Sequence, residues 1–139
     1  MATDNRVIVL VGGFDNNGEE IPLADTHVYS MKKRSWVRGP NLISSRFQAC
    51  CSTLGGFTYV FHGTGKLMSC PNARDGHLTT IERLNNKTLK AWENITTPGF
   101  NPVPRTPCFA IGLSDNEVLV CGMNNFRGSY IMEVLRIDK

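Results

Sequence analysis

A strand–turn–strand pattern that occurs three times is the feature that most constrains the fold. In residues 46–63 two β-rich runs flank the pair Gly55-Gly56. A glycine pair between two such runs is typical of a tight β-hairpin. Residues 108–122 repeat both strands, whereas residues 3–13 repeat the turn and the second strand. The pattern therefore predicts a repeat protein whose first repeat starts in mid-unit.

The spacing of three markers supports this repeat. A glycine that closes the second strand, a tryptophan and an arginine each recur at similar distances. The intervals are 50 and 59 residues for Gly13, Gly63 and Gly122, 56 for Trp36 and Trp92, and 59 for Arg46 and Arg105. A β-rich period of about 50 residues is typical of kelch repeats, which form the blades of a β-propeller.

The chain resembles the kelch-repeat family over nearly all of its length. In the first repeat the resemblance depends on Gly12-Gly13, Tyr29 and Trp36. The later repeats match it less fully: the second keeps Gly63 and Trp92 but has His62 and Leu84 at the other two positions, and the third has Cys121-Gly122.

The resemblance implies an all-β fold, a partial kelch-type β-propeller of about two and a half four-stranded antiparallel blades. We expect repeat units at residues 1–45, 46–104 and 105–139, with three, four and three strands. The predicted strands are residues 6–11, 25–31 and 35–38, then 47–53, 58–62, 77–84 and a strand around Trp92, then 107–113, 117–121 and 130–137.

Such a set of strands cannot close a ring, so an apolar sheet face should be exposed at each end. The first unit should lack its innermost strand and the last unit its outer strand. The chain is therefore expected to be part of a longer propeller chain. Completion by self-association is the less favoured alternative, because the missing strands are of different kinds.

Composition places the chain among ordinary globular proteins, with 41% apolar and 19% charged residues. The net charge of +3 is small, and the one basic run, residues 32–34, is interpreted as a solvated turn. We expect no nucleic-acid partner. No apolar run is long enough to span a membrane and no targeting segment is visible, so the expected location is the cytoplasm.

Five cysteines and two sequons leave two environments open. Cys50 and Cys51 are neighbours on a predicted strand, so their side chains should point to opposite faces, and no Cys or His spacing fits a metal site. Free buried thiols are favoured over a disulfide-bonded secreted domain, and redox chemistry is a third alternative. The sequons at Asn86 and Asn94 favour the secreted alternative slightly.

We find no catalytic constellation in the sequence. His27, His62 and His77 have no carboxylate or nucleophile partner suggested by spacing. The chain is therefore predicted to be a non-enzyme without a cofactor.

The loops on one propeller face are the candidate binding surface, because loops on a rigid scaffold commonly carry recognition. The loops at residues 14–24, 63–75 and 123–129 should emerge on the same face. The first loop is acidic, and the others carry Lys66, Arg74 and Arg127.

Arg46 and Arg105 precede the inner strand of their repeats. The resemblance implies that an arginine there can reach the central pocket and hold an acidic peptide, since guanidinium forms paired hydrogen bonds with carboxylates. In the alternative interpretation, both arginines brace the loops between blades.

The function implied is that of a non-catalytic protein-interaction module, such as an adaptor, which binds a protein or acidic peptide through one face. The alternative is an extracellular carbohydrate-binding or carbohydrate-oxidising kelch-like domain. The sequons and the cysteines are the features that favour it.

Overall fold

The computed structural model describes residues 2–3, 6–15, 17, 21–65, 76–97, 105–124 and 127–137, and of residues 2, 3 and 105–107 it describes the backbone alone. In chain order the strands are β1 (Ala2–Thr3), β2 (Val7–Val11), β3 (Phe14–Asp15), β4 (Ile21–Pro22), β5 (Thr26–Ser30), β6 (Ser35–Arg38), β7 (Arg46–Phe47), β8 (Cys50–Leu54), β9 (Phe57–Phe61), β10 (Thr64–Gly65), β11 (Gly76–His77), β12 (Ile81–Asn85), β13 (Trp92–Ile95), β14 (Arg105–Gly112), β15 (Glu117–Asn124) and β16 (Ser129–Arg136). These residues contain no helix, and so none long and apolar enough to cross a membrane. The predicted all-β fold is confirmed.

Three antiparallel sheets form the blades. The first blade has the strand order β1-β2-β5-β6, the second β8-β9-β12-β13 and the third β14-β15-β16. Each blade is a meander in which consecutive main strands are neighbours, as expected for propeller blades. The partial propeller is therefore confirmed.

The first blade has four strands, so the prediction of three was wrong. Ala2 pairs with Val9 and Thr3 pairs with Ile8, which places a two-residue strand at the innermost position. Such a short strand has too few residues to show an alternating pattern in the sequence.

Two small ribbons connect the main strands. β3 pairs with β4 inside the segment predicted as the loop 14–24, and β10 pairs with both β7 and β11. The predicted strand 47–53 is interrupted at Gln48, whose φ of 54° lies in the left-handed region, so β7 and β8 belong to different sheets. The predicted strand 77–84 is also divided, into β11 and β12, which belong to different sheets.

Two apolar cores lie between the blades. The first and second blades share a core of Val7, Val9, Val28, Leu42, Val60, Leu84 and Trp92. The second and third blades share a core of Cys50, Leu54, Tyr59, Phe61, Ile81, Val118, Val120, Leu135 and Ile137. Each large apolar side chain buried this way contributes roughly 1.5–3 kcal/mol, so the contacts between blades hold the molecule together.

The sequence predicted that Gly122 of the third repeat matches Gly63 of the second. The structure shifts this match by one residue. Val60 packs against the preceding blade, and so does Val120 of the third blade. Side chains alternate between faces along a strand, so Gly122, two residues after Val120, matches His62 rather than Gly63.

Candidate functional site

The meander gives the molecule two different faces. Connections between second and third strands, and those between blades, emerge on one face, which we call the loop face. The hairpin turns at residues 55–56 and 31–34 emerge at the opposite ends of the strands, on what we call the turn face. The described parts of the predicted binding loops, residues 14–15, 17, 21–24, 63–65, 123–124 and 127–129, therefore lie on the loop face.

Arg46, in β7 under the loop face, has no exposed side-chain surface. Its Nε donates to the Ser44 carbonyl at 3.3 Å, and Nη1 donates to the carbonyls of His62 at 2.8 Å and Thr80 at 3.3 Å. Its Nη2 donates to Thr80 Oγ1 at 3.0 Å and to the Glu82 carboxylate. Every guanidinium nitrogen therefore has an acceptor within the second repeat or the loop that precedes it.

Glu82 completes this network from strand β12. Its Oε2 accepts a hydrogen bond from the Ile43 amide at 2.7 Å, and Oε1 accepts one from the Ser44 amide at 3.0 Å as well as the one from Arg46. Both amides belong to the connection between the first and second blades. The ion pair thus fastens that connection to the second blade.

The electrostatics of the pair agree with a bracing role. Burial lowers the pKa of Arg46 below its ordinary value, and the nearby Glu82 carboxylate opposes this shift. A guanidinium that is buried and already bonded has no donor left to hold a peptide carboxylate. The geometry of Arg46 matches the bracing alternative, so we do not include it in a partner-binding surface.

Of the other predicted binding residues, the structure describes the side chain of Arg127 and not those of Lys66, Arg74 and Arg105. Lys66 and Arg74 lie outside the described residues, and so does the side chain of Arg105. Arg127 is exposed in the β15–β16 connection on the loop face, where Gly128, with φ of 62°, closes the turn by donating to the Asn124 carbonyl at 2.8 Å. Arg127 therefore lies exposed in a loop on the face where the sequence placed the binding surface.

The β3–β4 ribbon is a feature of the loop face that the sequence interpretation missed. Phe14 is opposite Pro22, and Asp15 is opposite Ile21. Phe14 and Ile21 are both close to half exposed. The Phe14 ring packs edge-on against the Phe47 ring, with 5.6 Å between the ring centroids. The signal was Asn17-Gly18, a hairpin dipeptide between two apolar residues.

The ribbon is anchored by backbone hydrogen bonds at its base. The Gly13 amide donates to the Arg46 carbonyl, the Leu23 amide to the Gly13 carbonyl, and the Arg46 amide to the Leu23 carbonyl, each at 2.9 Å. A Cβ at position 12 would lie 2.4 Å from the Arg46 carbonyl oxygen, and the φ of 66° is left-handed. Only glycine therefore fits there beside β7. The base of the ribbon that carries these exposed apolar residues is thus anchored to β7.

The thiols and possible metal ligands form no reactive centre in the part of the chain that the structure describes. Cys50, Cys51, Cys108 and Cys121 are free thiols there. Contact with the Cys108 thiol, followed by burial, raises the pKa of Cys50, so its nucleophilic thiolate is disfavoured. Among the described residues, no group of three or more His, Cys, Asp or Glu side chains could hold a metal ion.

The two sequons differ in accessibility. Asn86 is buried, and its Oδ1 accepts a hydrogen bond from Thr58 Oγ1 at 2.7 Å, whereas Asn94 is exposed on β13. A glycan is bulky and needs a surface position. The folded chain could therefore carry one at Asn94 and not at Asn86.

Comparisons with known proteins agree with this architecture. The family model of the kelch motif matches residues 1–43. A solved structure titled "Structure of YjhT" has a similar fold, with a TM-score of 0.68 and 19% sequence identity over 88% of this chain and 33% of that one. The chain thus spans about a third of the length of that neighbour, and the comparison with curated proteins found no match. With a kelch motif over its first blade, a second four-stranded blade and a third blade of three described strands, the chain has the fold of a partial kelch-type β-propeller.

Proposed function

We propose that the chain is a non-catalytic protein-interaction module that binds a protein or peptide through its loop face. The observation that carries this proposal is the β3–β4 ribbon, which presents Phe14 and Ile21 to solvent on an anchored backbone. A preorganised apolar contact loses little conformational freedom on binding, which favours affinity.

Charge on the same face supports a preference for acidic segments. Arg127 is exposed on the third blade's connection, and a guanidinium there can form paired hydrogen bonds with a carboxylate. Recognition would then combine an apolar contact at the ribbon with an acidic group near Arg127.

Selection from a random peptide-display library tests the proposal. Peptides enriched on the wild-type chain should bind an Ile21→Asp variant at least about tenfold more weakly, because a carboxylate replaces an exposed apolar contact. Met31 is exposed to a similar extent but lies on the turn face, so Met31→Asp is the matched control.

The acidic preference is read from the enriched sequences. Arg127→Glu should weaken acidic peptides more than neutral ones. Failure to enrich any peptide, or equal losses for Ile21→Asp and Met31→Asp, would contradict binding through the loop face.

A further inference from the structure

The inner strands of the second and third blades, β8 and β14, lie side by side. A Cβ at Gly112 would lie 3.3 Å from the Thr53 carbonyl oxygen and 3.5 Å from Ser52 Oγ, so the strands are in close contact at that end. Cys50 begins β8, Cys108 is the fourth residue of β14, and both belong to the core between these blades. Folding therefore brings together two cysteines that are 58 residues apart in the chain.

The two thiols lie beside the same backbone oxygen. Cys50 Sγ is 3.9 Å from the Phe61 carbonyl oxygen, and Cys108 Sγ is 4.0 Å from it. Cys108 Sγ is also 3.7 Å from the Gln48 carbonyl oxygen, two residues before Cys50. The thiols contact each other as well. A disulfide requires two cysteines whose side chains point toward each other at short range, and this pair has that arrangement.

The other cysteines that the structure describes lie elsewhere. Cys51 follows Cys50, so its side chain points to the opposite face and packs against the core that the first and second blades share. Cys121 lies opposite Phe109, on the face of the third blade that is directed away from the second. Among the described cysteines, one pair therefore meets between the second and third blades.

The two thiols of this pair differ in their access to solvent. Cys50 is 5% exposed, whereas Cys108 is only partly buried. Susceptibility of a thiol to oxidation follows its thiolate character and its exposure, and contact with Cys108 raises the pKa of Cys50. An oxidant therefore reaches Cys108 first, which leaves Cys50 as the resolving thiol.

We propose that Cys50 and Cys108 form a modification site, at which a peroxide converts two thiols to a disulfide between the second and third blades. Hydrogen peroxide oxidises the Cys108 thiol to a sulfenic acid, and its O–O bond breaks with release of one water. The Cys50 sulfur then attacks the Cys108 sulfur, and the sulfenic hydroxyl leaves with the Cys50 proton as a second water. The two thiols together lose two electrons and two protons, which the peroxide accepts.

The bond changes how the two blades are held together. In the reduced chain the second and third blades share an apolar core, and the disulfide adds a covalent link between their inner strands. A disulfide stabilises mainly by constraining the unfolded chain, and more so when the loop that it closes is long. Oxidation should therefore make the chain harder to unfold. This effect does not depend on binding at the loop face.

Mild oxidation of the whole chain tests the proposal. The reduced protein is treated with hydrogen peroxide under native conditions, its remaining thiols are alkylated, and the unreduced tryptic peptides are analysed by mass spectrometry. We expect residues 47–66 to be linked to residues 106–127, because these peptides carry Cys50 and Cys108. Treatment with dithiothreitol should remove the link.

Variants assign the link, because the same two peptides also contain Cys51 and Cys121. Cys50→Ala and Cys108→Ala should each abolish it. The matched double substitution Cys51→Ala and Cys121→Ala should leave it as in the wild type. If Cys50→Ala does not fold, as judged by circular dichroism, Cys108→Ala decides, since this side chain is less buried.

Thermal unfolding measures the consequence of the bond. The oxidised wild type should melt at least about 5 °C above the reduced chain, and Cys108→Ala should lose this difference. The proposal is overturned by a link that persists in Cys108→Ala, by oxygen adducts on Cys108 without a link, or by a link that a non-reducing gel shows only between two chains. Equal melting temperatures of the oxidised and reduced wild type would also overturn it.

Discussion

Arg46 and Glu82 form a charged pair with no exposed surface, and their value to the fold depends on complete hydrogen bonding. Burying two charges costs free energy that is recovered only when their donors and acceptors are satisfied. Here the pair bonds to Ser44, His62 and Thr80, which come from separate segments. The pair therefore connects three separate segments beneath the loop face.

We expect Arg46→Ala to destabilise the chain by about 3–5 kcal/mol, because Glu82 would be left as an uncompensated buried charge. Urea unfolding followed by circular dichroism measures the change. Arg38→Ala is the matched control, since Arg38 pairs with Asp25 at the surface, where such pairs contribute about 0–1 kcal/mol. Similar losses in the two variants would contradict the bracing role.

The Cys50 thiol should make stability fall at alkaline pH. The pKa of this thiol is raised in the folded chain, so above the unfolded pKa of about 8.5 the unfolded chain loses a proton that the folded chain keeps. The stability that the protonated thiol contributes is therefore fully present below that value and is lost as the pH rises above it. The free energy of unfolding should fall by up to about 1.4 kcal/mol per pH unit in this range. Urea unfolding at several pH values should show a shallower decline for Cys50→Ala, and identical slopes would exclude this cause.

At the scale of elements, the main strands were predictable, the β3–β4 ribbon had a local signal in Asn17-Gly18, and the ribbon of β7, β10 and β11 had none. β8 and β9 follow from apolar runs around Gly55-Gly56, which is local information. β7 and β10 contain two residues each and exist because distant segments pair. The role of Arg46 was undecided in the sequence for the same reason, since Glu82 lies 36 residues away.

The tryptophan-bearing strands provide a matched comparison between blades. Trp92→Phe removes two hydrogen bonds and leaves Thr26 Oγ1 without its donor, so we expect a loss of about 2 kcal/mol. Trp36→Phe keeps an aromatic ring beside Tyr29 at the surface and should change stability by no more than about 0.5 kcal/mol. Guanidinium unfolding measures both variants, and equal losses would show that Trp92 is not held by the first blade.

At the scale of the whole molecule, the stack of blades has an apolar face at each end. The first blade exposes Leu10 and Trp36 on the side away from the second blade. The third exposes Phe109, Ile111 and Met132 in the same way, with Met132 72% exposed. Sheet faces of this kind are covered by neighbouring blades in a closed propeller, and contiguous exposed apolar patches promote association.

We therefore expect the isolated chain to self-associate through these faces as its concentration rises. Sedimentation velocity over a concentration series should show an increasing mean mass for the wild type. The double substitution Ile111→Lys and Met132→Lys should shift the onset to higher concentration, because each ammonium group would have to be desolvated at the contact. A control with the same charge, Thr88→Lys and Ser114→Lys, places both lysines at exposed positions of the turn face and should behave as the wild type does. A wild type that stays monomeric throughout, or an equal effect of both double substitutions, would show that the exposed sheet faces do not drive association.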